Sequence, residues 1–157
     1  MVARRARGFT AIELVIVAAV GALLCASALP SLADWRARQR LQDSASRLVA
    51  DLHRARELAV DGHRTMYVAL HEACYTVATT PDCPCDSPNS LCAVKTVAFS
   101  GAGVTSLPAR PVLAFDPRFG STTAGPVARL FLAGRSLDVE VEAVGHAESH
   151  TPNPPLH

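Results

Sequence analysis

The sequence predicts an α+β chain: a long N-terminal helix whose first half spans a membrane and whose second half packs against an antiparallel β-sheet domain. Three observations carry the prediction. Residues 14–29 contain no charged side chain. Residues 41–59 repeat apolar side chains at three- and four-residue steps, the period of one helix face. Beyond Gly62 the pattern shortens to β-type runs punctuated by Gly and Pro. Of the 157 residues, those left once the apolar segment is set aside suffice for one small domain. A net charge of +1 with 18% charged residues leaves no overall basic excess to attract nucleic acid or anionic lipid.

Residues 1–8 carry Arg4, Arg5 and Arg7 and no acid. Residues 9–29 make a helix of roughly 30 Å at ~1.5 Å per residue, long enough to cross a bilayer core. The arginines hold the N-terminus in the cytoplasm, which places everything after the apolar run on the far side. Pro30 closes the run; lacking a backbone donor and clashing with the preceding turn, it predicts a bend or local melting of the helix. An ordinary secretory signal, cleaved near Ala26-Ser27-Ala28, is the competing account of the segment. Glu13 speaks against it, because a carboxylate near the start of a membrane helix costs on the order of 2 to 3 kcal/mol and is rarely kept without a partner.

The stretch Arg7-Gly8-Phe9-Thr10-Ala11-Ile12-Glu13-Leu14-Val15-Ile16-Val17 resembles the prepilin motif of type IV pilins and type II secretion pseudopilins. The resemblance implies that residues 1–8 are a leader cut after Gly8 by prepilin peptidase and that Phe9 becomes an N-methylated amino terminus. It also implies that Glu13 sets register in a filament by pairing with the amino terminus of a neighbouring chain, and that Pro30 stands where many pilins bend. The implied location is the bacterial inner membrane, single-pass, with the C-terminal domain periplasmic and the assembled chain at a filament tip.

Residues 30–62 read as an amphipathic helix. Leu41, Ala45, Leu48, Leu52, Ala55 and Ala59 form the core stripe, and Arg40, Asp43, Arg47 and Arg54 the opposite face. Asp43 and Arg47 stand four apart, the spacing of a helical ion pair. Gly62 is the expected C-cap. Trp35 falls where tryptophan anchors a helix at a membrane interface.

Residues 63–145 read as the β domain, with strands over 65–70, 75–79, 93–99, 112–115, 127–132 and 137–144. In the last, Leu137, Val139, Val141 and Ala143 alternate with Asp138, Glu140 and Glu142, so one face is buried and one wet. Residues 146–157, with three prolines, read as a flexible tail.

Cys74, Cys83, Cys85 and Cys92 are disulfide candidates, an even cluster suited to an oxidising compartment, whereas Cys25 lies inside the apolar run. Four cysteines allow three pairings. A Cys83–Cys85 ring would be unusually tight, which favours joining Cys74 and Cys92 to the central two without choosing between the two ways of doing so. A zinc site is the alternative, although Cys-Pro-Cys differs from a Cys-x2-Cys knuckle.

The stretch Leu52-His53-Arg54-Ala55-Arg56-Glu57-Leu58-Ala59-Val60, the strand after it, and Phe115-Asp116-Pro117-Arg118-Phe119-Gly120 are similar to the GspH/FimT family of minor pilins and pseudopilins. The resemblance implies a low-abundance subunit that primes or caps a type IV pilus or a type II secretion pseudopilus. Its implied partners are other major and minor pilins or pseudopilins, prepilin peptidase and the inner-membrane assembly platform.

No Gly-rich phosphate loop, His-Glu-x-x-His pair or Gly-x-Ser-x-Gly elbow is present, so neither an enzyme nor a cofactor is expected. His53, His63 and His71 are too scattered to predict a metal centre. The alternative function is DNA binding for uptake, for which the family resemblance implies Gly-Arg-x-Arg near the C-terminus. Here the matching position is Gly145-His146-Ala147-Glu148, without either arginine, and Glu148 repels phosphate. Arg110, Arg118, Arg129 and Arg135 are the substitute candidates if they gather on one face.

Overall fold

The computed structural model describes residues 10–85 and 91–152, without the side chains of residues 25–31 and 100. Gly8 and Phe9, the proposed processing site, lie outside the described residues. The chain divides into two units, Met1–Arg36 and Ala37–His157.

Helix α1 covers Ala11–Asp61. It starts on a Thr cap: the Glu13 N–H donates to Thr10 Oγ1 at 3.3 Å, and the Leu14 N–H to the Thr10 carbonyl at 3.2 Å. The backbone stays helical through Pro30, so the expected local melting does not occur. The helix ends on a Schellman arrangement, with Arg64 N–H to Ala59 O at 3.2 Å and His63 N–H to Val60 O at 3.3 Å. Gly62 is the cap as expected, but the left-handed residue is His63, at φ +48. Gly62 is needed for space, because a Cβ there would stand 2.8 Å from the Leu58 carbonyl.

The predicted helix stripe is the core stripe. Leu41 is 3% exposed, and Ala45, Leu48, Leu52, Ala55 and Ala59 are fully buried. Asp43, on the opposite face, accepts from Gln39 Nε2 at 3.2 Å rather than pairing with Arg47.

Among the described residues eight strands form two antiparallel four-stranded sheets: β1 (Met66–Leu70), β2 (Cys74–Ala78), β3 (Ala93–Ala98), β4 (Thr105–Pro108), β5 (Val112–Phe115), β6 (Gly125–Leu132), β7 (Arg135–Val141) and β8 (Ala147–His150). Their orders are β3-β2-β1-β5 and β4-β6-β7-β8. Met66, Val68, Tyr75, Leu113 and Phe115 from the first sheet and Val127, Leu130, Val139 and Val141 from the second share one core with α1.

Two strands were not expected. In β4 the alternation is inverted, with Ser106 buried and Leu107 exposed, so the sequence hides the strand. The expected tail is corrected at β8: Ala147–His150 pair with β7, from Val141↔Ala147 to Asp138↔His150. As an edge strand with only Ala147 buried, β8 has the polar composition of a tail. Strand β7 ends at Val141, and Ala143, expected inside, is exposed in the connecting hairpin.

Candidate assembly surfaces

In the first unit, Ile12, Leu14, Val15, Ile16, Val17 and Leu23 are each more than half exposed, and consecutive positions on a helix point all round it. A helix apolar on every side needs lipid or other helices around it. Glu13 is the single charge in this stretch, and its backbone N–H closes the Thr10 cap. Among the described residues no helix is long and apolar enough to cross a membrane. The predicted span begins at Phe9 and ends on residues whose side chains are not described.

In the second unit the two stretches similar to the GspH/FimT family come together around Arg56. The Arg56 side chain lies against Gly120, which follows β5, and against Gly145 of the β7–β8 hairpin. A Cβ on Gly120 would fall 2.5 Å from Arg56 Cγ, and one on Gly145 would fall 2.8 Å from Arg56 Cδ. The two turns are joined directly as well, by Thr122 N–H donating to Ala143 O at 3.1 Å. Asp116 shapes the first turn by accepting from the Arg118 N–H at 2.8 Å. One turn of helix before Arg56, His53 Nε2 donates to Ala147 O at 3.1 Å and its ring stands 5.1 Å from that of His146. At the tips of the two turns Phe119 is 76% and Val144 61% exposed. The helix thus holds two turns in place, and the turns present apolar side chains outward.

A second polar cluster, unforeseen in the sequence, joins α1 to the first sheet. Tyr75 Oη donates to Asp51 Oδ2 at 2.7 Å, and Lys95 Nζ donates to Asp51 Oδ1 at 2.6 Å. Burial pushes the Tyr75 phenol far above its ordinary range, and the hydrogen bond to the Asp51 carboxylate pushes it the same way. The signal was available: Asp51 sits inside the core stripe, between Leu48 and Leu52, where an acid requires a partner. Beside this cluster a cleft of about 360 Å³ opens between α1 and the end of β3, lined by Arg40, Arg47, Tyr75, Ala98 and Phe99 among others.

The four candidate DNA arginines are not gathered on one face. Arg129 makes a two-pronged ion pair with Asp138 across β6 and β7, Nε at 2.5 Å and Nη2 at 2.8 Å. Arg135 is paired in register with Leu132, three residues from Arg129, and so lies on the opposite face of the sheet. Arg110 donates to the Thr123 and Ala124 carbonyls at 2.6 Å each, and Arg118 sits in the turn after β5. The geometry spends Arg110 and Arg129 on the protein itself.

The cysteines pair Cys74–Cys85 and Cys83–Cys92, with Cα separations of 6.1 and 5.9 Å. Each joins an outer cysteine to a central one, and together they tie the β2–β3 connection down. Among the described residues no group of three or more His, Cys, Asp or Glu is placed to hold a metal ion.

Residues 44–145, more than half of the chain, match the family model of the type II transport protein GspH. The chain belongs to the GspH family. None of the curated proteins matches its sequence. Among solved structures, two crystal structures of the type IV minor pilin FimU from Pseudomonas aeruginosa resemble this GspH-family chain. One is 15% identical over 70% of this chain and 92% of that chain, with a TM-score of 0.55. The other is 16% identical over 72% and 90%, with a TM-score of 0.54. The likeness extends to the fold, a long helix packed on antiparallel sheets. Membership in the GspH family makes this a pilin-like subunit, of pilus or pseudopilus type.

Proposed function

We propose that this GspH-family chain is a minor pilin-like subunit that primes or caps a type IV pilus or a type II secretion pseudopilus, and is a structural protein without catalytic activity. The observation that carries the proposal is the start of helix α1, where the described side chains of residues 11–24 are apolar all round with Glu13 as their one charge. Such a helix has a place in an inner membrane, then in a filament core among helices of its own kind. Prepilin peptidase cuts after Gly8, Phe9 is N-methylated, and Thr10, second in the mature chain, caps the helix. Glu13 is then within one helical turn of the new amino terminus and pairs with that of a neighbour. The periplasmic domain makes contacts at the tip, and its neighbours are other pilins or pseudopilins on the assembly platform.

Deleting the gene is expected to abolish piliation or secretion. Restoring it as Glu13→Ala is expected to give a chain that is cleaved normally but fails to support assembly. Normal filaments and secretion in both strains would refute the proposal.

A further inference from the structure

A sheet edge exposes backbone donors and acceptors, and proteins ordinarily defend edges with short strands, proline, charge or a covering segment. Among the described residues three of the four sheet edges are defended. Strand β4 has four residues, ends on Pro108 and is tied by the Ser106 N–H to Glu72 O at 2.8 Å. Strand β5 has four residues, with Pro111 and Pro117 on either side. Strand β8 has four and carries Glu148 and His150.

Among the described residues strand β3 has none of these devices. It is six residues long, Ala-Val-Lys-Thr-Val-Ala, and contains no proline. Its one charge, Lys95, turns onto Asp51 of α1 instead of guarding the rim. The Phe99 N–H donates to Ala73 O at 2.7 Å. By the two-residue alternation of an antiparallel ladder, Lys95 and Val97 then bond to β2, while the N–H and C=O groups of Thr96 and Ala98 face outward. Among the described residues nothing bonds to them. At the Ala98 end the strand runs into the cleft that holds Arg40 and Arg47, and among the described residues neither guanidinium is paired. Among the described residues the only carboxylate lining that cleft is Asp43, which is bonded to Gln39. Two cations thus face one acid beside an open edge.

We propose that β3 is a docking edge that takes an extended, acidic segment of a partner protein as an added strand, its carboxylates held by Arg40 and Arg47. Backbone pairing supplies the affinity and the arginines select acidic sequence. The site belongs to the β domain and stands apart from the membrane and processing steps, so it can fail while those hold.

The test uses the full chain in detergent and fluorescently labelled eight-residue peptides of alternating Val and Thr, with two Glu, with two Lys, or with two Glu and a central Pro. The Glu peptide is expected to bind, the Lys and Pro peptides at least tenfold more weakly. Arg40→Glu combined with Arg47→Glu should weaken the Glu peptide at least tenfold. Thr96→Pro removes an outward N–H without touching the β2 ladder, and should abolish binding with the melting temperature nearly unchanged. Should that variant fail to fold, amide exchange in the unmodified chain decides. Thr96 and Ala98 should exchange fast alone and slow with the Glu peptide, while Lys95 and Val97 stay protected throughout. Equal binding of Glu and Lys peptides, unchanged exchange at Thr96 and Ala98, or self-association through β3 with no peptide uptake would overturn the proposal.

Discussion

Arg56, Gly120 and Gly145 show how single atoms set the form of the domain. Gly145 has φ +79, and a Cβ there would meet the Gly120 carbonyl at 2.3 Å as well as Arg56. Gly134, in the β6–β7 turn, has a similar φ of +75 with nothing within 4 Å of where a Cβ would stand. Gly134→Ala is therefore expected to cost about 1 to 2 kcal/mol for the left-handed backbone alone. Gly145→Ala adds overpacking of about 1 to 3 kcal/mol. Denaturant titration of the two variants reads the difference, and equal losses would show that the Arg56 contact carries no weight. Tyr75 gives a second prediction, in pH. Its phenol is raised above the ordinary value of 10.0 in the folded chain, by burial first and by Asp51 second. Below that range folded and unfolded chains both keep the proton and its contribution is complete. Above it only the unfolded chain releases the proton, so stability falls with rising pH by about 1.4 kcal/mol per unit. Tyr75→Phe should show a shallower alkaline loss; the same slope in both proteins would contradict the assignment.

At the scale of elements, what was legible followed from periodicity. All six predicted stripe residues of α1 are buried, because one continuous face of a long helix leaves an unambiguous three- and four-residue signature. Strand β5 has the bounds expected, being a short run of Val-Leu-Ala-Phe with proline on both sides. Strands β4 and β8 were illegible for opposite reasons: β4 buries Ser106 and exposes Leu107, and β8 is polar because it lies at an edge. The Arg56 junction was half legible, since its two stretches were singled out but their meeting depends on a hairpin far along the chain. The disulfide pairing needed coordinates as well. The two rings close loops with sequence separations of 11 and 9. For loops of that length the chain-entropy estimate is on the order of 2 to 3 kcal/mol each. Beneath the tied connection, Thr76 and Ala78 of β2 are fully buried and Cys83 is 1% exposed. Cys83→Ser with Cys92→Ser is expected to lower stability by about that amount and to speed amide exchange in β2 and β3 without unfolding β6 and β7. Loss confined to global stability, with uniform exchange across both sheets, would mean that the bridge acts on the unfolded chain alone.

For the whole molecule the open question is what becomes of a helix that is apolar on every side for its first turns and amphipathic from residue 41. Two fates are physically distinct. If an ordinary signal peptidase removed the segment near Ala28, the remaining chain would begin close to Pro30, keep the amphipathic half of α1 intact, and leave with the periplasmic fraction. If the leader ends at Gly8, the apolar segment stays attached and the chain partitions with membranes until other helices cover it, as burial of this much apolar surface demands. Glu13 separates the roles further. Its carboxylate opposes lipid insertion, so Glu13→Gln should hold the membrane at least as firmly as the native chain while losing the charge that attracts a neighbour's amino terminus. The expected outcome is a mature chain beginning at Phe9, one methyl group heavier than its sequence mass, released from membranes only by detergent. The Glu13→Gln chain should share that mass and fractionation but be absent from sheared filaments or pseudopili. A mature terminus near residue 29 in the periplasmic fraction would remove the pilin-like processing route, whereas correct processing with Glu13→Gln still incorporated would remove only the role assigned to the carboxylate.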